Sequence, residues 1–368
     1  MNSKKYMKKL ILIACSLVFA FTSKMDAQDI HLAQIQESPL YLNPANTGFF
    51  AGYYRVIGGY RNQWASMGKP YQTMALTVDG VLFRNKNKSA FLGLGLSIFN
   101  DKAGAANLSN TIANLNVSAV LKLGSRSALA AGIAGGVSMN NGNFSKLTYA
   151  SQYNGTEIDP ARPSNEAVAY HSFTNSDFGA GISYEFEKYS KKNDRDYITS
   201  LRIGIAGFHL NKAKQDFGNS QINPATGVPY ADPYYLPARY VGTMSSRIDI
   251  PNSKLTINPT FIYMMQGQAT EINFGSYFKY RFKNGTKVTG EKVENTFGVG
   301  LFYRYNDAII PQVILDMGTY SIGLSYDANI SGYRKVSKTV GGFEIMLRYN
   351  KLADALFNRR SEFRGGKR

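Results

Sequence analysis

Side chains that commonly carry catalysis or hold metals are scarce in this sequence. Its three histidines, His31, His171 and His209, lie far apart, and no two have the spacing of a metal-ligand pair. His209 stands near the end of an alternating run, where a histidine joined to a carboxylate would serve a barrel hydrolase. Nothing near it in sequence resembles the tight strand-to-helix turn that presents a serine nucleophile, so a hydrogen-bonded structural role suits it better. Cys15 is the only cysteine, which excludes a disulfide framework and a cysteine-based zinc site in an exported chain. Gly93-Leu94-Gly95 and Gly298-Val299-Gly300 sit inside alternating runs, where glycine serves packing or curvature instead of phosphate binding. The charges Arg202, Arg247, Asp249, Asp316 and Glu344 also fall within such runs. Facing lipid at mid-membrane, an Arg or Lys costs roughly 2–4 kcal/mol, so these side chains belong in a lumen or at a rim, bracing the structure. The expectation is a protein that is not an enzyme, with no catalytic residues, cofactor or metal.

The elements that must position these charges follow from a period of two. Leu92, Leu94, Leu96 and Ile98 alternate with Gly93, Gly95 and Ser97. Ala113, Leu115, Val117, Ala119 and Leu121 oppose Asn114, Asn116 and Ser118, and Phe178, Ala180, Ile182, Tyr184 and Phe186 oppose Asp177, Gly179, Gly181, Ser183 and Glu185. Counting such runs gives about 14 strands of the dyad-repeat kind. They lie near 53–63, 71–82, 90–99, 108–121, 128–139, 176–187, 197–210, 238–250, 255–266, 270–282, 295–305, 309–317, 319–330 and 340–349. A soluble sandwich also alternates, but its second face meets water and carries Lys, Glu and Thr. Here the second face is mostly Gly, Ala, Ser and Asn, which suits a confined lumen. The fold class is therefore all-β: a transmembrane antiparallel up-and-down β-barrel with an irregular N-terminal segment and a short basic C-terminal tail.

Composition agrees. Aromatic content is 13%, with 25 Tyr and 22 Phe but one Trp, and the mean hydropathy is −0.25. Interfacial girdles on a barrel account for many aromatics at low mean hydropathy. Beyond the N-terminus no stretch reaches about 18 consecutive apolar residues, which excludes a helical inner-membrane protein. At the N-terminus, Lys4, Lys5, Lys8 and Lys9 precede the apolar run Leu10 to Phe21, and the small Ala27 stands before Gln28. That arrangement is a secretory signal peptide over residues 1–27. A competing reading takes Leu12-Ile13-Ala14-Cys15 as a lipoprotein box, but the apolar stretch before Cys15 is short against an h-region of about 7–15 residues. The net charge of +17 drops to about +13 without residues 1–27. Export argues against nucleic acid, leaving acidic partner proteins or anionic headgroups of outer-membrane lipids for that basic field.

The expected organisation is a signal peptide at 1–27, an irregular segment at 28–52, a barrel at 53–349 and a basic periplasmic tail at 350–368. With both chain ends in the periplasm, the two long connections, Asn140 to Asn175 and Asn211 to Pro237, face outside, as outer-membrane barrels require. The periplasmic turns then gather Arg84, Lys86 and Lys88; Lys122 and Arg126; Lys188, Lys191, Lys192 and Arg195; and Lys283, Lys287 and Lys292. The tail adds Arg359, Arg360 and Arg364, candidate contacts for an acidic periplasmic partner; a merely solvated rim is the alternative.

One local pattern is more specific than any of this. Ser38-Pro39-Leu40-Tyr41-Leu42-Asn43-Pro44-Ala45-Asn46-Thr47-Gly48, then Tyr53-Tyr54-Arg55-Val56, Tyr60-Arg61-Asn62-Gln63-Trp64 and Lys69-Pro70-Tyr71, closely resembles the start of the PorP/SprF family of outer-membrane proteins. The likeness resumes at Ala206 to Phe217, which includes Phe208-His209-Leu210-Asn211, and in the closing strands, at Phe297 to Asp307, Ile310-Pro311, Gly323 to Asp327 and Gly341 to Glu344. The resemblance implies a barrel of the type IX secretion system. Such a barrel serves either the secretion and gliding machinery, with periplasmic protein partners, or the export and surface attachment of a large adhesin through its C-terminal sorting domain. The alternative is a general diffusion or solute-uptake channel. Tyr41, Asn43, Pro44, Gly48, Tyr60, Arg61, Gln63, Trp64 and Pro70 are the motif residues singled out as partner or plug contacts. Asn43-Pro44 suits a tight turn, Trp64 an interface, and Arg61 stacking or pairing in the lumen. Residues 28–52 are read as a plug in or beneath the barrel mouth, or else as a turn that only starts the first strand.

Overall fold

Alternation puts the apolar side chains on the outside of a closed sheet. The computed structural model describes residues 29–64, 69–83, 89–104, 106–142, 147–159, 161–163, 172–192, 195–215, 234–283, 295–331 and 340–352. Along Ala90–Ala103, Leu92, Leu94 and Leu96 are exposed at 40%, 42% and 44%, whereas Ser97 is buried. Along Leu108–Lys122, Leu115 and Val117 face outward while Asn114, Asn116 and Ser118 are buried. In water this arrangement would be inside out; against lipid it places each face in its proper solvent.

The strands are β1 (Gly52–Gln63), β2 (Tyr71–Leu82), β3 (Ala90–Ala103), β4 (Leu108–Lys122), β5 (Ser127–Asn141), β6 (Phe173–Lys192), β7 (Arg195–Phe208), β8 (Lys214–Gln215), β9 (Tyr234–Tyr235), β10 (Arg239–Asp249), β11 (Leu255–Gln266), β12 (Ala269–Lys283), β13 (Asn295–Arg304), β14 (Ala308–Met317), β15 (Tyr320–Asn329) and β16 (Val340–Leu352). All but β8 and β9 form one closed antiparallel barrel in sequence order, sealed where β1 pairs with β16. The barrel thus has the 14 strands that the alternation predicts. The short β8–β9 pair, inside a long connection, has no dyad pattern and was not expected. β6 runs well past the predicted Glu187, because pairing with β7 continues beyond the apolar band to Lys192↔Arg195. β7 stops at Phe208, two residues earlier than expected, because His209 takes φ 54°, a left-handed conformation that leaves the strand path.

Pairing defines two rims. Gly52 sits opposite Leu352 at one, and Gln63 sits opposite Tyr71 at the other. The connections between β5 and β6 and between β7 and β10, the two long ones, both leave from the Gln63 rim. Aromatic side chains gather at each end: Tyr54, Tyr349 and Tyr320 near the Gly52 rim, and Trp64 with Tyr71, and Phe274 with Tyr303, near the Gln63 rim. Such paired girdles mark the two interfaces of a membrane barrel.

Residues 29–51 lie inside the ring. Asp29 meets Gln266 and His209 at the Gln63 rim, while Gly52 begins β1 at the other. Between them the chain descends to Glu37, which pairs with Arg348. It then climbs through a helical turn at Pro39–Leu42 to bring Tyr41 against Arg239, and descends again through a 3-10 turn at Pro44–Asn46. Asn43 caps the second turn by accepting from the Ala45 N–H at 2.9 Å. Gly132 makes room for it: a Cβ there would stand 2.5 Å from the Pro44 carbonyl carbon. Ile35, Leu40, Ala45 and Phe49 are fully enclosed. Among the described residues, Asp29 and Leu352 stand at opposite rims.

Candidate functional site

The lumenal segment is seated by polar contacts on strands all round the ring. At the Gln63 rim, His209 bridges two carboxylates, Asp177 through Nδ1 at 2.8 Å and Asp29 through Nε2 at 2.6 Å. Arg239 stands 3.3 Å from the same Asp29 oxygen, and its guanidinium lies between the rings of Tyr41 (4.0 Å) and Phe208 (4.5 Å). The Asp29 backbone N–H donates to Gln266 at 3.1 Å. Tyr41 closes this latch: its hydroxyl donates to the Ile30 carbonyl at 2.6 Å, and its own carbonyl accepts from Arg239 at 3.2 Å.

Burial alone would lower the affinity of His209 for its proton, but Asp29 and Asp177 outweigh burial and push its pKa up to about 9. Burial likewise works against the Asp29 charge, yet His209 and Arg239 hold its carboxyl well below the ordinary range. A histidine raised from 6.5 to about 9 contributes stability in full below the lower value and loses it as pH rises through the upper one. The unfolding temperature should therefore fall between about pH 7 and pH 10, and His209→Gln should flatten that dependence. At neutral pH the same substitution should cost about 3–5 kcal/mol, because it leaves buried charge unpaired. Heat-modified gel migration across pH, for wild type and variant together, measures both effects.

A second seat lies on the β12–β16 side. The Glu344 carboxylate accepts the N–H groups of Ala33 (2.6 Å) and Gln34 (3.0 Å). Gln312 donates to the Ala33 carbonyl at 2.9 Å, and Arg61 donates to the His31 carbonyl at 2.5 Å. His31 reaches Glu271 at 2.6 Å. The third seat holds the descent to β1. Asn43 donates to the carbonyls of Ile182 and Ile205, Ser118 to that of Thr47, and the Gly48 N–H to Asp79 at 2.8 Å. Asp79 also takes a bidentate pair from Arg55 at 2.9 and 2.8 Å, and Arg202 donates to the Phe49 carbonyl at 2.9 Å. Among the described residues no group of three or more His, Cys, Asp or Glu side chains has the geometry to hold a metal.

Residues 24–349 match the family described as type IX secretion system membrane protein PorP/SprF. The chain belongs to this family. No curated protein matches. Among solved structures, the barrel is similar to the CymD monoaromatic hydrocarbon channel, with 12% identity and a TM-score of 0.43 over 89% of this chain and 95% of that one. It is also similar to a TodX deltaS2S3 mutant monoaromatic hydrocarbon channel (8%, 0.42, 85% and 94%) and to BamA from Haemophilus ducreyi lacking POTRA domains 1–3 (9%, 0.40, 82% and 70%). These likenesses concern the fold alone. As a PorP/SprF member with this fold, the protein is an outer-membrane barrel of the type IX secretion system.

The PorP/SprF motif divides between lumen and rim. Tyr41, Asn43 and Pro44 are buried within the lumen. Gly48 is there too, at φ 64°. Arg61 is 2% exposed, pointing inward to His31 and Asp327. Tyr60 and Gln63 are half-buried strand residues, and Trp64 packs edge-on against Tyr71 at 5.0 Å, close to the half-buried Pro70. The strand charges Arg202, Arg247, Asp249, Asp316 and Glu344 all take polar partners within the barrel. Sequence reasoning missed Asp29 and Asp177 as partners of His209, and Arg239 as a partner of Asp29. Residues 1–27 with Cys15, His171, the turn residues Arg84, Lys86, Lys88, Lys287 and Lys292, and the tail residues Arg359, Arg360 and Arg364 lie outside the described residues.

Proposed function

We propose that this barrel is a non-enzymatic component of type IX secretion and gliding motility. It assists export or surface attachment of a large adhesin by engaging the adhesin's C-terminal sorting domain, and it contacts periplasmic machinery through its Gly52 rim and the basic tail with Arg359, Arg360 and Arg364. The observation that carries this reading is the filled lumen. Ala33, Ile35, Ala45, Thr47 and Phe49 are completely enclosed and the segment is bonded on opposite sides of the ring, so residues 29–51 act as a plug. A general diffusion channel needs that space open. Orientation follows from the two long connections, which belong on the outer side of an outer-membrane barrel. Cargo then engages the outer face of a closed barrel instead of crossing it.

Crosslinking in cells, detergent purification and identification of bound proteins test this. Recovery of periplasmic machinery or of a sorting domain supports the proposal. Recovery of the barrel alone, with steady single-channel conductance, favours the channel reading and overturns it.

A further inference from the structure

We propose that the plug is threaded from the outside inward, so that its Asp29 end is displayed at the cell surface while its other end joins β1 at the periplasmic rim. The inference rests on the reading that the long connections face outward. The path itself is fixed by contacts that do not depend on that reading. Asp29 is held by Gln266, the last residue of β11, by His209, just past the end of β7, and by Arg239, the first residue of β10. His31 is held by Glu271, near the start of β12. Each of these belongs to the Gln63 rim, from which both long connections leave. At the far end, Gly48 is held by Asp79 and Gly52 pairs with Leu352.

The outer end is built as a latch. Main chain and side chain of Asp29 are both bonded, and Tyr41 ties the returning limb to Ile30 across it. His31, beside it, keeps 35% of its side chain exposed at the mouth. A protein docking among the long connections would therefore meet the Asp29 end of the plug, not its attachment to β1. Contacts that compete for Asp29 would loosen the segment from the outside first.

Single-cysteine variants in a Cys15→Ser background, treated on intact cells with a membrane-impermeant maleimide, test the threading. His31→Cys reports on the plug end. Gln268→Cys, in the β11–β12 turn, reports on the Gln63 rim, and Ser125→Cys, in the β4–β5 turn, on the Gly52 rim. A cysteine inserted directly before Asp29 repeats the measurement with the His31–Glu271 pair intact. The expected result is labelling at His31 and Gln268 on intact cells and at Ser125 only after the outer membrane is permeabilised. Labelling of Gln268 on intact cells, with both plug-end cysteines requiring permeabilisation, overturns the threading. Labelling of Ser125 alone on intact cells also overturns surface display, and shows that the assumed orientation failed while the path through the barrel stands.

Discussion

Deleting residues 29–51 should convert a barrel without steady conductance into an open pore. Barrels of about eight strands fill their interior with side chains, whereas those of about 16–18 enclose an aqueous channel. This one, with 14, lies near the wide end of that range, and its inward positions include Gly93, Gly95, Gly132 and Gly181, each of which lies against the plug. Its own walls therefore leave a gap that residues 29–51 fill. Removing the segment leaves the strand ladder intact, because β1 to β16 pair through their own backbones. Water would then replace the lost partners of Asp79, Arg239 and Glu344. Planar-bilayer recording on deletion and wild-type barrels reads the effect; equal, negligible conductance from both would refute the plug. A double variant, Asp29→Ala with Glu37→Ala, keeps the full chain while loosening two seats, and should show intermittent openings if the deletion itself fails to fold.

How far the sequence could disclose this differs from element to element. Alternation in Leu92 to Ile98 and in Asn114 to Leu121 already separates a lipid face from a confined one, because strand geometry sends neighbouring side chains to opposite sides whatever the rest of the chain does. Strand ends are less legible. The overhang of β6 to Lys192 is held by pairing with β7, and the early stop of β7 by the backbone of His209. The latch was hidden for a different reason. Asp29 and His209 are separated by 180 positions, and His209 and Asp177 by 32, so their meeting depends on barrel closure and register. Residues 29–51 show no period because their surroundings change at almost every residue, from Glu344 to Gln312 to Arg348 and round to Asp79. Glycines in strands were legible as packing positions, but not that the partner would be the chain's own N-terminal segment, as at Gly132 against Pro44.

Asp327→Ala should be the most damaging single substitution in the barrel wall. One oxygen of Asp327 takes Arg61 at 2.5 Å and Arg304 at 2.6 Å, and the three side chains are 1%, 3% and 5% exposed. Removing the carboxylate leaves two buried guanidiniums. Arg304 keeps Asp307 at 2.9 Å, but that carboxylate is 45% exposed, and the Glu344 oxygen 3.8 Å from Arg61 is already accepting the Ala33 N–H. Breaking a buried pair from one side costs about 3–5 kcal/mol, most of it the penalty for the cation left behind. Asp327→Asn keeps an acceptor and should cost less. If the penalty is indeed the unpaired charge, adding Arg61→Met to Asp327→Ala should restore part of the loss, since one uncompensated cation goes with it. Arg61 also donates to the His31 carbonyl, so the single variant should loosen the plug as well as the wall. Denaturant unfolding in lipid vesicles separates the cases. A cost below about 1 kcal/mol for Asp327→Ala, or no recovery in the double variant, would mean that water already shares these cations and that the lumen is wetter than its contacts imply.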